Sequence, residues 1–196
     1  MSEPQNPDPV KLISSVFANT RENLSLSVKK LSTLFGAVDY VSDVRAFDYT
    51  RYYEEEMGSS LMRRFVTFEG LICPDCLPEI KKMTNRTEKD LSVNHSRRVN
   101  IDPGYISHAH LILATGKAYT HRPYLKDGIY ADLTLIYQNN SFRPLEWTYP
   151  DYADPKTIAL FNTIRKRYLI QLKQRAMTEP SAAAAQEKAR EEMQTT

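Results

Sequence analysis

The apolar positions of the first half of the chain change period several times, and each change marks an element. VKLISSVFA, residues 10–18, reads as a first strand. In RENLSLSVKKLSTLF, residues 21–35, Leu24, Val28, Leu31 and Phe35 recur at helical spacing; Asn19 or Thr20 is placed to cap the first turn and Gly36 to end the last. Residues 38–47 read as a second strand, whereas DYTRYYEEEMG, residues 48–58, has no clean period and is expected to be a loop or short helix. LMRRFVTFEGL, residues 61–71, has strand propensity. Pro74 and Asp75 then introduce a helix to about Val93, with Leu77, Ile80, Met83 and Thr84 facing inward and Pro78 tolerated in its first turn.

The second half is rich in strands. RRVNIDPGY, residues 97–105, predicts a short strand that stops at Pro-Gly, with Val99 and Ile101 on the core side and Arg98, Asn100 and Asp102 on the other. HLILATGKA, THRPYL, GIYADLTLIY and FRPLEW follow, and Asp127-Gly128 and Asn139-Asn140 between β-rich runs are hairpin signals, so this half is expected to form an antiparallel meander. Asp154-Pro155 opens a last helix whose buried stripe is Ile158, Phe161, Ile164, Tyr168 and Leu172. The order of elements predicts an α+β fold, a mainly antiparallel sheet with helices packed on one face, in a single domain over residues 10–176. Residues 1–9 are expected to be a disordered N-terminus, and residues 177–196, which carry no large apolar face, a disordered or frayed helical tail.

Composition narrows the class more than the chemistry. With 26 basic and 24 acidic residues the formal charge is +2, which gives no general attraction to nucleic acid or to an anionic membrane. The start, MSEPQNPDPV, has neither a basic nor an apolar leader region and no later run reaches the length of a membrane span, so a cytoplasmic location is expected. Cys73 and Cys76 form a single C-x-x-C without a second pair; a zinc site would require His108 and His110 to come close. ATGKAY lacks the first glycine of a phosphate loop, and Ala118 stands where its metal-binding hydroxyl belongs.

The candidate chemistry lies on one sheet face. In YADLTLIY, Ala131, Leu133, Leu135 and Tyr137 are expected to point to the helices and Tyr130, Asp132 and Thr134 away from them; Arg63, Phe65, Thr67 and Glu69 share a face in their own strand. Such a polar face is either exposed and paired across strands, Arg98 with Asp132 for example, or occupied by a ligand. Aromatics in the bordering segments, Trp147 and Tyr149 among them, favour a ligand. The expected site has His121, Asp102 and Asp132 as catalytic groups and Arg98, Asn100, Tyr105, Lys117, Arg122, Tyr130, Trp147 and Tyr149 as ligand contacts. Glu56, Asp102 and Asp132 are the candidates for a divalent cation such as Mg²⁺. The partner so described is a small anionic molecule, a nucleotide or a sugar phosphate, and the protein either an enzyme, metal-assisted where the carboxylates hold a cation, or a small-molecule-binding protein. The alternative is a non-catalytic nucleotide or RNA binder that stacks bases on exposed tyrosines, although the balance of acids and bases on this face argues against nucleic acid. Composition leaves the oligomeric state open.

FDYTRYYEEEMG (47–58), MRRFVTFEGLI (62–72), RRVNIDPGYIS (97–107), LATGKAYTHRPYL (113–125), GIYADLTLIY (128–137) and WTYPDY (147–152) together resemble the domain of unknown function 4416 family, a bacterial and archaeal group. The likeness runs from about Pro9 to Arg175. It implies no activity beyond a label of GTP-binding protein that members often carry, and this chain shows neither a phosphate loop nor an N-K-x-D type guanine reader.

Overall fold

A computed structural model describes residues 2–50, 52–94 and 96–178. The chain runs β1 (Val10–Ala18), α1 (Arg21–Phe35), β2 (Val38–Val41), β3 (Arg45–Ala46), α2 (Glu54–Met57) and β4 (Met62–Ile72). A short 3₁₀ turn (Pro74–Cys76) leads into α3 (Leu77–Asp90), then β5 (Val99–Ile106), β6 (His110–Thr115), β7 (Tyr124–Lys126), β8 (Ile129–Gln138), β9 (Ser141–Pro144), α4 (Pro150–Ala153) and α5 (Pro155–Thr178). The strands form one antiparallel sheet in the order β2-β4-β1-β5-β6-β8-β7, with β3 added to β4 and β9 to β8. The fold is α+β. Residues 179–196, most of the expected tail, lie outside the described residues, and no helix among those described is long and apolar enough to cross a membrane.

Helices cover both faces of the sheet, not one. All nine residues of β1 are buried, because its alternation sends Leu12 and Val16 to one side and Ile13 and Phe17 to the other, and both sets are apolar. On the first side Leu12, Val16, Val66 and Ile101 pack with Leu24 and Leu31 of α1 and Ile80 of α3. On the second Ile13, Phe65, Leu111 and Leu135 pack with Phe161, Ile164 and Tyr168 of α5. Burying each such side chain contributes roughly 1.5–3 kcal/mol. Local signals agree with this outcome. The Thr20 hydroxyl accepts from the N–H of Asn23 at 3.1 Å, and Asp154 caps α5 by accepting from the N–H groups of Lys156 and Thr157 at 3.0 and 3.1 Å. Asp127, Gly128, Asn139 and Asn140 have φ of 53°, 76°, 50° and 62°, as two-residue hairpins with right-handed strand twist require.

Four further expectations are corrected. The strand expected over residues 38–47 is split into β2 and β3, because Ser42 between them bonds to β4 by itself: its N–H donates to the Phe65 carbonyl and its hydroxyl accepts from the Phe65 N–H, both at 2.9 Å. The third helix stops at Asp90 instead of running to about Val93. A bulge in β8 lets Leu111 and Ile112 of β6 pair with Leu135 and Leu133, so Thr134 is an extra residue. It moves Leu135 and Tyr137 onto the face of Asp132, where both join the core under α5.

The fourth correction shapes the site. β5 does not stop at Pro-Gly; it runs through Pro103 and Gly104 to Ile106. A Cβ on Gly104 would lie 2.3 Å from the Ile112 carbonyl oxygen, so only glycine lets β6 approach there. β1 pairs with β5 over its whole length, but β6 pairs only with Gly104–Ile106. Pro103, the next residue back, has no N–H with which to extend that ladder. The sheet therefore opens between Asp102 and the last residues of β6.

Candidate functional site

Strand register places Phe17 opposite Arg63 and Asn100, Ser15 opposite Asp102, and Leu113 opposite Asp132, so these side chains share the face that α5 covers elsewhere. Beyond the start of α5 the cover is the segment Tyr149–Tyr152 at α4. Between it and the opened sheet lies a cavity of about 140 Å³, with Phe17, Phe47, Tyr49 and Leu113 as apolar walls and Ser15, Arg63, Asp102, Thr115, Arg122, Asp132, Asp151 and Tyr152 as its polar lining.

Each carboxylate of this inner chamber has its own cation. Asp132, 4% exposed, accepts from Arg122 Nε at 2.8 Å and from the Thr134 hydroxyl at 3.2 Å. Asp151 is ion-paired with Arg63, whose guanidinium lies 5.1, 4.7 and 5.3 Å from the ring centroids of Phe47, Phe65 and Tyr152. Asp102, the most accessible of the three, accepts from Lys81 Nζ at 3.2 Å and from Asn100 Nδ2 at 2.7 Å. Pairing of this kind is what allows charges out of water, since a lone one costs several kcal/mol. The support extends outward: Arg97 donates to the Asn100 side-chain oxygen at 3.0 Å and grips both oxygens of Glu56 at 2.8 and 2.5 Å, which holds the Glu56 carboxyl below its ordinary range. On the other side of β5 the buried Glu88 accepts from the Ile101 N–H at 2.7 Å, and burial pushes its carboxyl up to about 7 against the partial pull of Lys81. Burial, and after it the Asp102 charge, also raises the Tyr53 hydroxyl.

A wider vestibule of about 480 Å³ adjoins the chamber, lined by Lys117, Ala118, Tyr119, His121, Arg122, Trp147 and Tyr149. The His121 ring stacks on Trp147 at 4.9 Å and 12°, with Tyr119 edge-on at 5.4 Å. Its Nε2 lies 3.7 Å from Asp132 Oδ2 and has no hydrogen-bond partner, although the side chain is only 9% exposed. The Trp147 indole is fixed by donation to the Leu133 carbonyl at 2.8 Å, which the bulge presents. Arg122 belongs to both compartments: Nε donates to Asp132, Nη1 to the Lys117 carbonyl at 3.1 Å and Nη2 to the Tyr149 hydroxyl at 2.8 Å. Lys117 rests 4.6 Å from the Tyr52 ring centroid and has no carboxylate partner among the described residues.

The family model described as Domain of unknown function (DUF4416) matches residues 8–168, from the approach to β1 to within the last helix. The chain belongs to the DUF4416 family. No curated protein and no solved structure matches it.

In this DUF4416 domain His121, Asp132, Arg122, Lys117, Trp147 and Tyr149 come together, and Asp102 faces them across the inner chamber. The other expected contacts are placed elsewhere. Asn100 sits behind Asp102 as its hydrogen-bond donor. Tyr105 points to the opposite face, packed with Leu77, Ala114 and Ile129. Tyr130 packs edge-on against Tyr124 at 5.3 Å, outside both compartments. Arg98 precedes β5 and does not meet Asp132, whose cation is Arg122; its Nε is buried without a partner. Glu56, expected to share a cation with Asp102 and Asp132, is taken by Arg97, and no group of three His, Cys, Asp or Glu side chains among the described residues is arranged to hold a metal ion. Cys73 and Cys76 are free and exposed. Asp151, Ser15 and Lys81 join the site without having been expected. Asp151 stands in the quoted WTYPDY segment and Ser15 within an apolar strand, but the inward turn of Lys81 from α3 has no signature in its helix.

Proposed function

We propose that this DUF4416 protein binds a small anionic ligand, with the anionic group in the vestibule against Lys117 and Arg122 and the remainder reaching toward the inner chamber. The observation that carries this is Arg122 itself. It is a nearly buried guanidinium held from three sides which, with Tyr149, lines both compartments, next to a lysine without a carboxylate partner among the described residues and a buried His121 nitrogen without a hydrogen bond. Buried polar atoms are nearly always paired, and the unpaired His121 Nε2 lies 3.7 Å from Asp132 Oδ2, the same carboxylate oxygen that anchors Arg122. His121 and Asp132 are the groups placed to exchange a proton with such a ligand.

A second reading, a non-catalytic nucleotide or RNA binder, is favoured by Tyr119 and Trp147, large rings that stay exposed beside Lys117. Thermal-shift measurements with inorganic phosphate, sugar phosphates, nucleotides and single-stranded RNA separate the two. A ligand at a hundred times its Kd adds about 2.7 kcal/mol, which for a domain of this size raises Tm by roughly 5–11 °C. The small-anion reading expects such a shift from a phosphate compound and its loss in Lys117→Ala combined with Arg122→Gln. It is refuted if no phosphate compound moves Tm or if the double variant keeps the shift. Strongly salt-dependent binding of RNA alone would establish the second reading.

A further inference from the structure

We propose that the body of the ligand is a sugar or similar polyol, so that the cleft binds a sugar phosphate: hydroxyls in the inner chamber, phosphate in the vestibule. This rests on the small-anion reading above and specifies its substrate class.

Asp102, Asp132 and Asp151 are each matched by a cation of their own, Lys81, Arg122 and Arg63. The chamber thus offers carboxylate lone pairs without surplus negative charge. A ligand ammonium would find no unmatched charge there, whereas neutral O–H donors would find acceptors. The vestibule is the reverse, since Lys117 has no carboxylate partner among the described residues. A ligand that is anionic at one end and uncharged with many donors at the other fits this gradient.

The three carboxylates arrive from β5, β8 and α4, and the Ser15 and Thr115 hydroxyls from β1 and β6, so hydrogen-bonding groups surround the chamber. A nucleobase carries its N–H donors along one edge and would leave most of these groups unmatched. A sugar carries hydroxyls around its ring, and its C–H faces suit the apolar walls at Phe17, Phe47 and Tyr49. Size agrees as well: about 140 Å³ is well under the roughly 300–1,000 Å³ of sites for drug-sized ligands, so one small moiety enters and the charged group stays outside.

Titration calorimetry on the full chain tests this with ribose 5-phosphate, glucose 6-phosphate, inorganic phosphate, the free sugars, AMP and GTP. At least one sugar phosphate should bind tenfold or more tighter than phosphate, its own free sugar and both nucleotides. Asp102→Asn and, separately, Ser15→Ala should cut the preference for that sugar phosphate over inorganic phosphate at least tenfold. Lys117→Ala should weaken both. Thermal melts of each variant establish that it is folded, and Asp102→Asn keeps an oxygen for Lys81. Tighter binding of AMP or GTP, or a preference for sugar phosphate that survives in both inner-chamber variants, overturns the polyol assignment and leaves the small-anion reading standing. Absence of binding by every phosphate compound overturns both.

Discussion

Glu88 gives the sharpest test of how the site is supported. The residue is 8% exposed at the end of α3, and its carboxylate accepts from the Ile101 N–H, next to Asp102. Burial, opposed by Lys81 and by the Ile101 hydrogen bond, raises its pKa from 4.5 to about 7. Below pH 4.5 the group is protonated whether the chain is folded or not. Between about 4.5 and 7 the unfolded chain releases the proton while the folded chain keeps it, so the stability that this group confers falls as pH rises; above 7 the loss is complete. A difference of this size corresponds to roughly 3 kcal/mol. Glu88→Gln retains an oxygen for the Ile101 N–H and cannot ionise. Urea unfolding of both proteins at pH 4.5, 6, 7 and 8 should show similar stabilities at pH 4.5 and a growing advantage of the variant, approaching about 3 kcal/mol at pH 8. Other carboxylates contribute equally to both proteins and cancel in the difference. A difference that is independent of pH, or that favours the wild type as pH rises, would refute the assignment of Glu88 as a buried acid that resists ionisation.

Gly104→Ala should cost about 3 kcal/mol or more, since the added carbon meets the Ile112 carbonyl oxygen of a central strand and not a yielding side chain; a melt within a degree of wild type would contradict this. Arg63→Ala leaves Asp151 buried and unpaired and should cost about 3–5 kcal/mol in denaturant unfolding, most of it recovered when Asp151→Leu is added. Thr20→Ala removes the cap of α1 and should lower stability by about 1 kcal/mol without altering ligand binding, measured by urea unfolding and calorimetry side by side.

Period and punctuation in the chain were enough to determine most of the elements. The repeat of Leu24 and Leu31, the cap at Thr20, the turns at Asp127-Gly128 and Asn139-Asn140 and the Asp154-Pro155 opening all act over a few residues, and each is found where the pattern puts it. Alternation also placed Arg63, Asn100, Asp102 and Asp132 on one face, because the side-chain period of a strand is local geometry. What the pattern could not supply depends on residues far apart in the chain. Whether β1 is covered on one side or two is decided by where α5 docks, more than 130 residues later. The bulge at Thr134 depends on the register of β6. The opening beside Asp102 arises only because Pro103 and Gly104 face a particular stretch of β6, and Lys81 is drawn in because Asp102 and the Ile101 carbonyl await its charge. Local backbone preferences are written residue by residue and can be read that way; the choice of partner for a buried charge is a property of the packed whole, since removing charge from water is tolerable only where another element supplies its match.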